Sequence, residues 1–195
     1  MQLLNLLLVG AGLACALRTP TTPQFELIEH RVLHPNGSTV SVFEHHPSQT
    51  QTSTNRRSID WFVDSNWDAM YSMCGDTTWA PHISASSPLV SDCEGIAAHH
   101  DQKNLKGYYM VREFYEPGTF QGLFSSGTCN FGIRPKTAKD ANGIYAWYIG
   151  SQDIRDLVID SIRKFSKGGK VGVEGDMTCT KGESAMDVHW GIYGY

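Results

Sequence analysis

Apolar side chains recur at helical spacing in two stretches of the chain. The first follows Ser87 and Pro88, a cap residue and a proline at the first helical position, and it places Cys93 and His100 on the buried stripe. The second begins at Ser151 and ends at a pair of glycines. Its apolar face consists of Ile154, Leu157, Val158, Ile162 and Phe165. The pattern therefore predicts two amphipathic helices.

Five further segments alternate apolar and polar residues with period two, which is typical of half-buried strands. In the last of them Val188 and Trp190 point to one face, while Asp187 and His189 point to the other. The five segments are residues 107–115, 127–134, 143–149, 171–179 and 186–192. Two helices with an antiparallel sheet of about five strands predict an α+β two-layer sandwich.

The first sixteen residues have a different pattern. An apolar run over residues 3–13 ends at Ala14-Cys15-Ala16, the small-x-small sequence that signal peptidase cleaves. The run is shorter than the roughly 20 apolar residues that a transmembrane helix needs, and no later segment reaches that length. We therefore expect a signal peptide over residues 1–16, no integral membrane segment, and a secreted, extracellular protein.

Residues 17–57 are expected to be a propeptide and linker. Residues 25–43 predict a β-hairpin with its turn at Asn36-Gly37, and Asn36 also begins an N-x-[ST] glycosylation sequence. A polar run over residues 47–54 leads to Arg56-Arg57, a dibasic pair suited to processing proteases; two solvated loop arginines are the alternative. Cleavage after Arg57 would leave residues 58–195, the size of one domain with a single core.

Export makes the cysteines informative, because the secretory pathway is oxidising and small exported domains use disulfides to support a limited core. Cys15 leaves with the signal peptide, and the other four lack the close spacing of a zinc site. Two disulfides are therefore expected. Cys93 on the first helix and Cys129 on its strand both face inward, which favours a bond between them. Cys74 then pairs with Cys179, and a Cys93–Cys179 bond is the rival.

The charge disfavours one class of partner. The formal charge of the chain is -4, and residues 58–195 carry 12 Lys+Arg against 17 Asp+Glu, a net charge of -5. Phosphate backbones are bound by clustered cations, so a nucleic-acid partner is disfavoured. The dense basic cluster lies near the end of the second helix, where cations complement the helix dipole without a ligand. It consists of Arg163, Lys164, Lys167 and Lys170.

Several short strings resemble a known family. They are residues 87–93, 127–132, 149–154 and 169–172, with the tail strings 177–179 and 188–193. Together they resemble the fungal Ecp-two effector family, also called the necrosis-inducing factor domain, in order and with all four cysteines over residues 70–194. The resemblance implies secretion by a fungus, host cell death or host recognition for some members, and a fold similar to that of the small KP-four killer toxins. The family pattern supplies no catalytic residues, so none is carried over.

We therefore expect an effector or toxin that binds a host or competitor surface component, whether protein, glycan or membrane protein, and not an enzyme. No cofactor and no stoichiometric metal are expected. His99 and His100 are adjacent, and neighbouring side chains on a helix point about 100° apart, which does not suit chelation. His100 is expected on the buried stripe and His99 in solvent. Nothing in the sequence indicates an oligomeric state.

The alternative is a secreted cell-wall hydrolase or a carbohydrate-binding protein. Asp187 and His189 leave the same strand face, where a histidine beside a carboxylate would serve as a general base. A polar outer face on which these two residues pair is the simpler interpretation, since no G-x-S-x-G elbow accompanies them.

Two aromatic clusters bear on the same alternative. Exposed members would stack on sugars or anchor a protein interface, although ordinary strand composition explains the same enrichment. The clusters are Tyr108, Tyr109, Phe114 and Tyr115, and then Tyr145, Trp147 and Tyr148.

Overall fold

The computed structural model describes residues 25–47, 59–62, 72–102, 107–111, 119–136, 147–181 and 184–194. Within these ranges lie eleven strands and two helices, α1 (Val90–Gln102) and α2 (Ser151–Phe165). The strands are β1 (Phe25–Leu33), β2 (Thr39–Pro47), β3 (Ile59–Phe62), β4 (Cys74–Thr77), β5 (Ala80–Pro81), β6 (Tyr108–Val111), β7 (Gln121–Ser126), β8 (Cys129–Pro135), β9 (Trp147–Gly150), β10 (Val173–Lys181) and β11 (Ser184–Tyr193). The predicted α+β class is confirmed. The predicted signal peptide and the dibasic pair Arg56-Arg57 lie outside the described residues.

Two antiparallel sheets replace the single sheet predicted from the sequence. The main sheet has eight strands in the order β1-β2-β7-β8-β11-β10-β4, with β5 also pairing with β10, and the second has the order β3-β6-β9. The predicted number of strands is too low, because β7 is buried almost throughout and does not alternate, and because β4 and β5 are short. Two of the predicted strands, β6 and β9, belong to the second sheet.

The core lies between the helices and the main sheet. Helix α1 packs against α2 and against β1, β2, β7 and β8. Apolar residues from both helices and from β8, β10 and β11 form one continuous cluster. Its fully buried members include Ile96, Ile154, Val158, Phe131, Ile133, Val188, Trp190 and Ile192. The strand residues among them are those that the period-two pattern predicts to point inward. Neither described helix is long and apolar enough to span a membrane.

Two disulfide bonds are present, as expected. One joins Cys93 of α1 to Cys129 of β8, and the other joins Cys74 of β4 to Cys179 of β10. The first is the pair that the predicted inward faces favour, and the second is the pair that then remains. The first bond holds a helix on the main sheet, and the second holds the edge strand β4 on β10.

The predicted N-terminal hairpin is present as β1–β2 and turns at Asn36-Gly37, with Gly37 at a φ of 86°. It is also part of the main sheet. Strand β2 pairs with β7, and Val32 and Val42 are buried in the common core. The expectation that residues 17–57 are removed as a propeptide stays a prediction, to which the structure adds that this segment supplies two strands of the main sheet.

Candidate functional site

A cleft of about 470 Å³ opens between helix α2 and strand β4. Asp153, Asp156 and Asp160 line it from one face of α2, because residues three and four apart on a helix point in similar directions. Asp76 of β4 and Trp79, which lies between β4 and β5, line it from the sheet. We call this surface the Trp79 cleft.

The indole ring of Trp79 is held by three neighbours. It meets the ring of Trp190 edge-on, with centroids 5.2 Å apart, and it packs against Phe165 at 5.6 Å. Nζ of Lys164 lies 4.5 Å from the ring centroid, a cation–π contact. Trp79 is nevertheless only half-buried. The cleft therefore offers an aromatic surface that is fixed in place and partly accessible.

Asp153 has a structural role within the cleft. Its carboxylate accepts hydrogen bonds from the hydroxyl of Ser72 (2.6 Å) and from the backbone N–H groups of Met73 (2.7 Å), Gly150 (2.8 Å) and Cys74 (3.2 Å). Burial raises the pKa of Asp153, and these hydrogen bonds act in the opposite direction. Asp153 thus ties the start of β4 to the start of α2.

The other carboxylates of the cleft are closer to solvent. Asp160 accepts a hydrogen bond from Lys164 at 2.8 Å, and Asp156 accepts one from Arg155 at 2.9 Å. Asp76 is exposed on β4. Carboxylate oxygens beside an indole face suit a ligand that donates hydrogen bonds and has an apolar surface, such as a sugar or a cationic protein side chain.

His189 and Asp187 lie on the outer face of the main sheet, as the alternation predicts, but the predicted pair between them is wrong. Nδ1 of His189 is 2.7 Å from Oδ1 of Asp176, and its Nε2 is 3.2 Å from Oε2 of Glu174. Asp187 instead accepts a hydrogen bond from Thr178 at 2.6 Å. The reason is the β10–β11 register, which places Asp176 opposite His189 and Thr178 opposite Asp187.

Aromatic rings on this outer face were not anticipated. Phe120 stacks on His189 at 5.6 Å and on Tyr193 at 5.2 Å, and the guanidinium of Arg134 lies 4.8 Å from its centroid. Phe120 and Trp79 lie next to short strands rather than within a periodic segment, so no sequence pattern marks them. The position of Tyr193 follows from the strand alternation.

The described members of the two aromatic clusters that the sequence analysis names are buried or half-buried. Tyr109 is fully buried and Tyr148 is 5% exposed, while Tyr108 is half-buried. The described rings therefore belong mainly to the core, which agrees with ordinary strand composition. The remaining members, Phe114, Tyr115, Tyr145 and the side chain of Trp147, lie outside the described part of the chain.

The two adjacent histidines of α1 are both buried. His100 is 0% exposed, as predicted, but His99 is 2% exposed, so the expectation of a solvated His99 is wrong. The reason is the N-terminal hairpin, whose His30 ring lies 4.5 Å from the ring of His99. No pattern in the sequence indicates that this hairpin covers α1.

Asn36 is exposed at the tip of the hairpin, where its Oδ1 accepts hydrogen bonds from the backbone N–H and the hydroxyl of Ser38. Glycosylation at Asn36 stays a prediction.

Two helices, antiparallel sheets and two disulfides define a small disulfide-stabilised α+β protein with an acidic, aromatic cleft. The Hce2 family, described as "Pathogen effector; putative necrosis-inducing factor", matches residues 73–179 of this chain. The chain belongs to this family, as the resemblance of its short strings implies. The matched residues contain both disulfides and, apart from Ser72, the lining of the Trp79 cleft, whereas the β1–β2 hairpin lies outside them.

A relative in Penicillium expansum bears the name "Probable chitinase LysM18". It is 30% identical over 120 residues, which cover 62% of this chain. The chain spans only 8% of the length of that relative. The similarity therefore concerns a small part of that protein.

Proposed function

We propose that this chain is a secreted effector that binds a surface component of a host or competitor cell through the Trp79 cleft. The observation that carries the proposal is the cleft itself, in which carboxylates lie beside a fixed, half-buried indole. The Cys74–Cys179 bond holds β4, which lines the cleft, on β10. Membership of a pathogen effector family supports the role, and death of host cells is the proposed consequence of binding.

Binding, rather than catalysis, is proposed because the candidate acid and base groups are engaged in structural contacts. A histidine that acts as a general base needs a ring nitrogen within reach of the proton that it removes. In His189 both ring nitrogens lie within 3.2 Å of a carboxylate oxygen. Asp153 likewise accepts hydrogen bonds from the backbone around it. Neither residue is placed as the base of a nucleophile.

A cell-wall carbohydrate is the second candidate ligand. Trp79 and its neighbouring carboxylates have the character of a sugar-binding surface, since an indole stacks on a sugar ring and carboxylates accept hydrogen bonds from its hydroxyl groups. The printed name of the Penicillium expansum relative, a chitinase, points toward chitin. Binding of a carbohydrate is better supported than its hydrolysis by this chain, because both ring nitrogens of His189 lie beside carboxylate oxygens.

Export and processing are part of the proposal. We expect removal of residues 1–16 as a signal peptide and cleavage after Arg57, so that the mature protein begins at Ser58. Intact-mass analysis of the secreted material decides this, and a mass that includes residues 17–57 would contradict cleavage.

A pair of charge reversals tests the cleft. Asp76 and Asp187 are both exposed aspartates, but only Asp76 lines the Trp79 cleft. We expect Asp76→Lys to weaken binding to target cells at least about tenfold, and Asp187→Lys to bind as the wild type does. Trp79→Ala, checked for folding by circular dichroism, should weaken binding further.

Three further results bear on the proposal. Equal binding by the wild type and Asp76→Lys would reject the cleft as the contact. A loss of cell killing by several orders of magnitude in His189→Gln, with binding and folding intact, would favour catalysis instead. Retention on chitin beads that Trp79→Ala abolishes would identify the carbohydrate candidate.

A further inference from the structure

Three potential metal ligands meet between the N-terminal hairpin and helix α1. They are His30 of β1, Glu44 of β2 and His99 of α1, which we call the hairpin–helix triad. Nε2 of His30 lies 2.9 Å from Oε2 of Glu44. One donor atom from each of the three residues lies within 4.8 Å of the other two.

The donor set matches the chemistry of zinc. Zn²⁺ binds neutral imidazoles and carboxylates, and two histidines with one glutamate leave a fourth tetrahedral position for water. Ligand atoms at about 2.0–2.2 Å from one tetrahedral ion lie roughly 3.3–3.6 Å apart. The ligand atoms of the hairpin–helix triad, which lie within 4.8 Å of one another, would therefore need to shift by up to roughly 1.5 Å through side-chain rotation to surround an ion.

Burial makes a cation favourable at this position. The side chain of Glu44 is 3% exposed, and His99 is 2% exposed. A carboxylate taken out of water is costly unless a positive charge and hydrogen bonds compensate it. A divalent ion would supply that charge while both histidines stay neutral. The side chain of His30 keeps 26% of its surface exposed, which gives an ion access from solvent.

We propose that, in the chain before cleavage after Arg57, the hairpin–helix triad binds one zinc ion, and that this ion fastens the β1–β2 hairpin to α1. Two ligands come from the hairpin and the third from a helix whose own position is fixed by the Cys93–Cys129 bond. This proposal revises the expectation of no metal, which rested on spacing along the chain. Ligands at positions 30, 44 and 99 have no recognisable spacing and meet only because the hairpin folds onto the helix.

Calorimetry of the metal-free full-length chain with zinc chloride tests the site directly. We expect one equivalent of zinc per chain, and affinity reduced at least about tenfold in His30→Gln, Glu44→Gln and His99→Gln. The matched control is His45→Gln. His45 is on the same hairpin, but its Nε2 forms a hydrogen bond with Oγ of Ser125 at 2.9 Å, and it is not part of the triad. This control should bind zinc as the wild type does.

Hydrogen exchange supplies a second readout. At a zinc concentration of 100 times the dissociation constant, opening of the hairpin should slow roughly 100-fold over residues 25–47, and a chelator should reverse this. If His99→Gln fails to fold, the zinc affinities of His30→Gln and Glu44→Gln test the site instead. Both should fold, because His30 is partly exposed and because glutamine has the same shape as Glu44.

Three results would overturn the proposal. They are no binding up to about 1 mM zinc, binding that His30→Gln and Glu44→Gln leave unchanged, and binding that His45→Gln weakens as much as the triad variants do.

Discussion

The hairpins at the two ends of the main sheet are attached in different ways. The C-terminal hairpin β10–β11 is paired on both sides, β11 with β8 and β10 with β4 and β5. A disulfide to Cys74 adds a covalent bond. Within the described residues, the N-terminal hairpin β1–β2 is paired on one side only, where Phe43 and Glu44 of β2 meet β7.

The buried side chains differ as well. The inward face of β11 is apolar from Met186 to Ile192, whereas the N-terminal hairpin buries His34 and Glu44 beside Val32 and Val42. Its β1 strand also leaves Leu27 and Leu33 more than half exposed. The comparison shows one hairpin built into the core by apolar packing and a covalent bond, and another held in part by polar contacts. We therefore expect the N-terminal hairpin to open before the C-terminal one.

Removing the Cys74–Cys179 bond is expected to have the largest effect. The double variant Cys74→Ser/Cys179→Ser leaves no free thiol. The bond spans 105 residues, for which the chain-entropy model gives about 5 kcal/mol, comparable to the whole stability of a small domain. We therefore expect loss of the secreted, folded protein, measured as secreted yield and by urea unfolding.

Replacing Cys93 and Cys129 in the same way gives the internal comparison, with about 4 kcal/mol expected for their shorter loop of 36 residues. An unfolding free energy within about 1 kcal/mol of the wild type in the first variant would contradict the prediction. A non-reducing peptide map that joins Cys74 to Cys93 or to Cys129 would contradict the pairing itself.

Two identical truncations compare the hairpins directly. Val42 and Val188 are both 0% exposed, one in each hairpin. Val188→Ala should lower the global free energy of unfolding by about 2 kcal/mol. Val42→Ala should instead raise amide exchange of the N-terminal hairpin roughly 30-fold and leave β8 and β11 protected. Equal global losses from the two variants would show that the hairpins belong to one cooperative unit.

The parts of the fold that local pattern determines were predictable from the sequence. Both helices, the inward faces of β8, β10 and β11, and the Asn36-Gly37 turn follow from periodicity and turn chemistry. The Cys93–Cys129 bond was favoured by the inward positions of both residues, but the pattern alone left a Cys93–Cys179 bond as a rival.

Long-range placement was not predictable. The partner of His189 is set by the register of β10 against β11, which a single strand does not specify. The burial of His99 depends on a hairpin more than 50 residues earlier in the chain. Trp79 has no periodic context at all, so the cleft could be found only once α2 and β4 were placed side by side. The likeness to KP-four killer toxins stays a prediction.

A partly buried hydrogen bond and an exposed one extend the comparison at smaller scale. Nε1 of the fully buried Trp190 donates to Oγ1 of Thr77 at 2.6 Å, and the half-buried Ser41 donates to the exposed Glu29 at the same distance. Thr77→Val keeps the shape but leaves the indole N–H without this acceptor, so about 1–3 kcal/mol should be lost. Ser41→Ala should cost less than about 0.5 kcal/mol. Urea unfolding of both variants measures the difference, and a loss from Ser41→Ala as large as that from Thr77→Val would contradict it.

The smallest effect is expected at the outer face of the C-terminal hairpin, where Nζ of Lys136 lies 3.3 Å from Oδ2 of Asp176. Burial acts to raise the pKa of Asp176, but hydrogen bonds from His189 and Lys136 outweigh it and lower the pKa. Lys136→Met should therefore raise the pKa of Asp176, as measured by NMR titration of its carboxyl carbon. The stability lost should be under about 1 kcal/mol, because the pair is partly exposed and screened.

The pH dependence of that small loss separates an ion-pair effect from a packing effect. A carboxyl group with a lowered pKa stabilises the folded protein above its unfolded-state pKa, and this contribution disappears as pH falls through its folded-state pKa. The difference between wild type and Lys136→Met should thus be constant near neutral pH and vanish once Asp176 is protonated in both proteins. A difference that persists unchanged in acid would assign the effect to the aliphatic part of Lys136 instead of its charge. In that case the outer face of β10–β11, like its inner face, would be held mainly by packing, and the contrast with the N-terminal hairpin would be sharper.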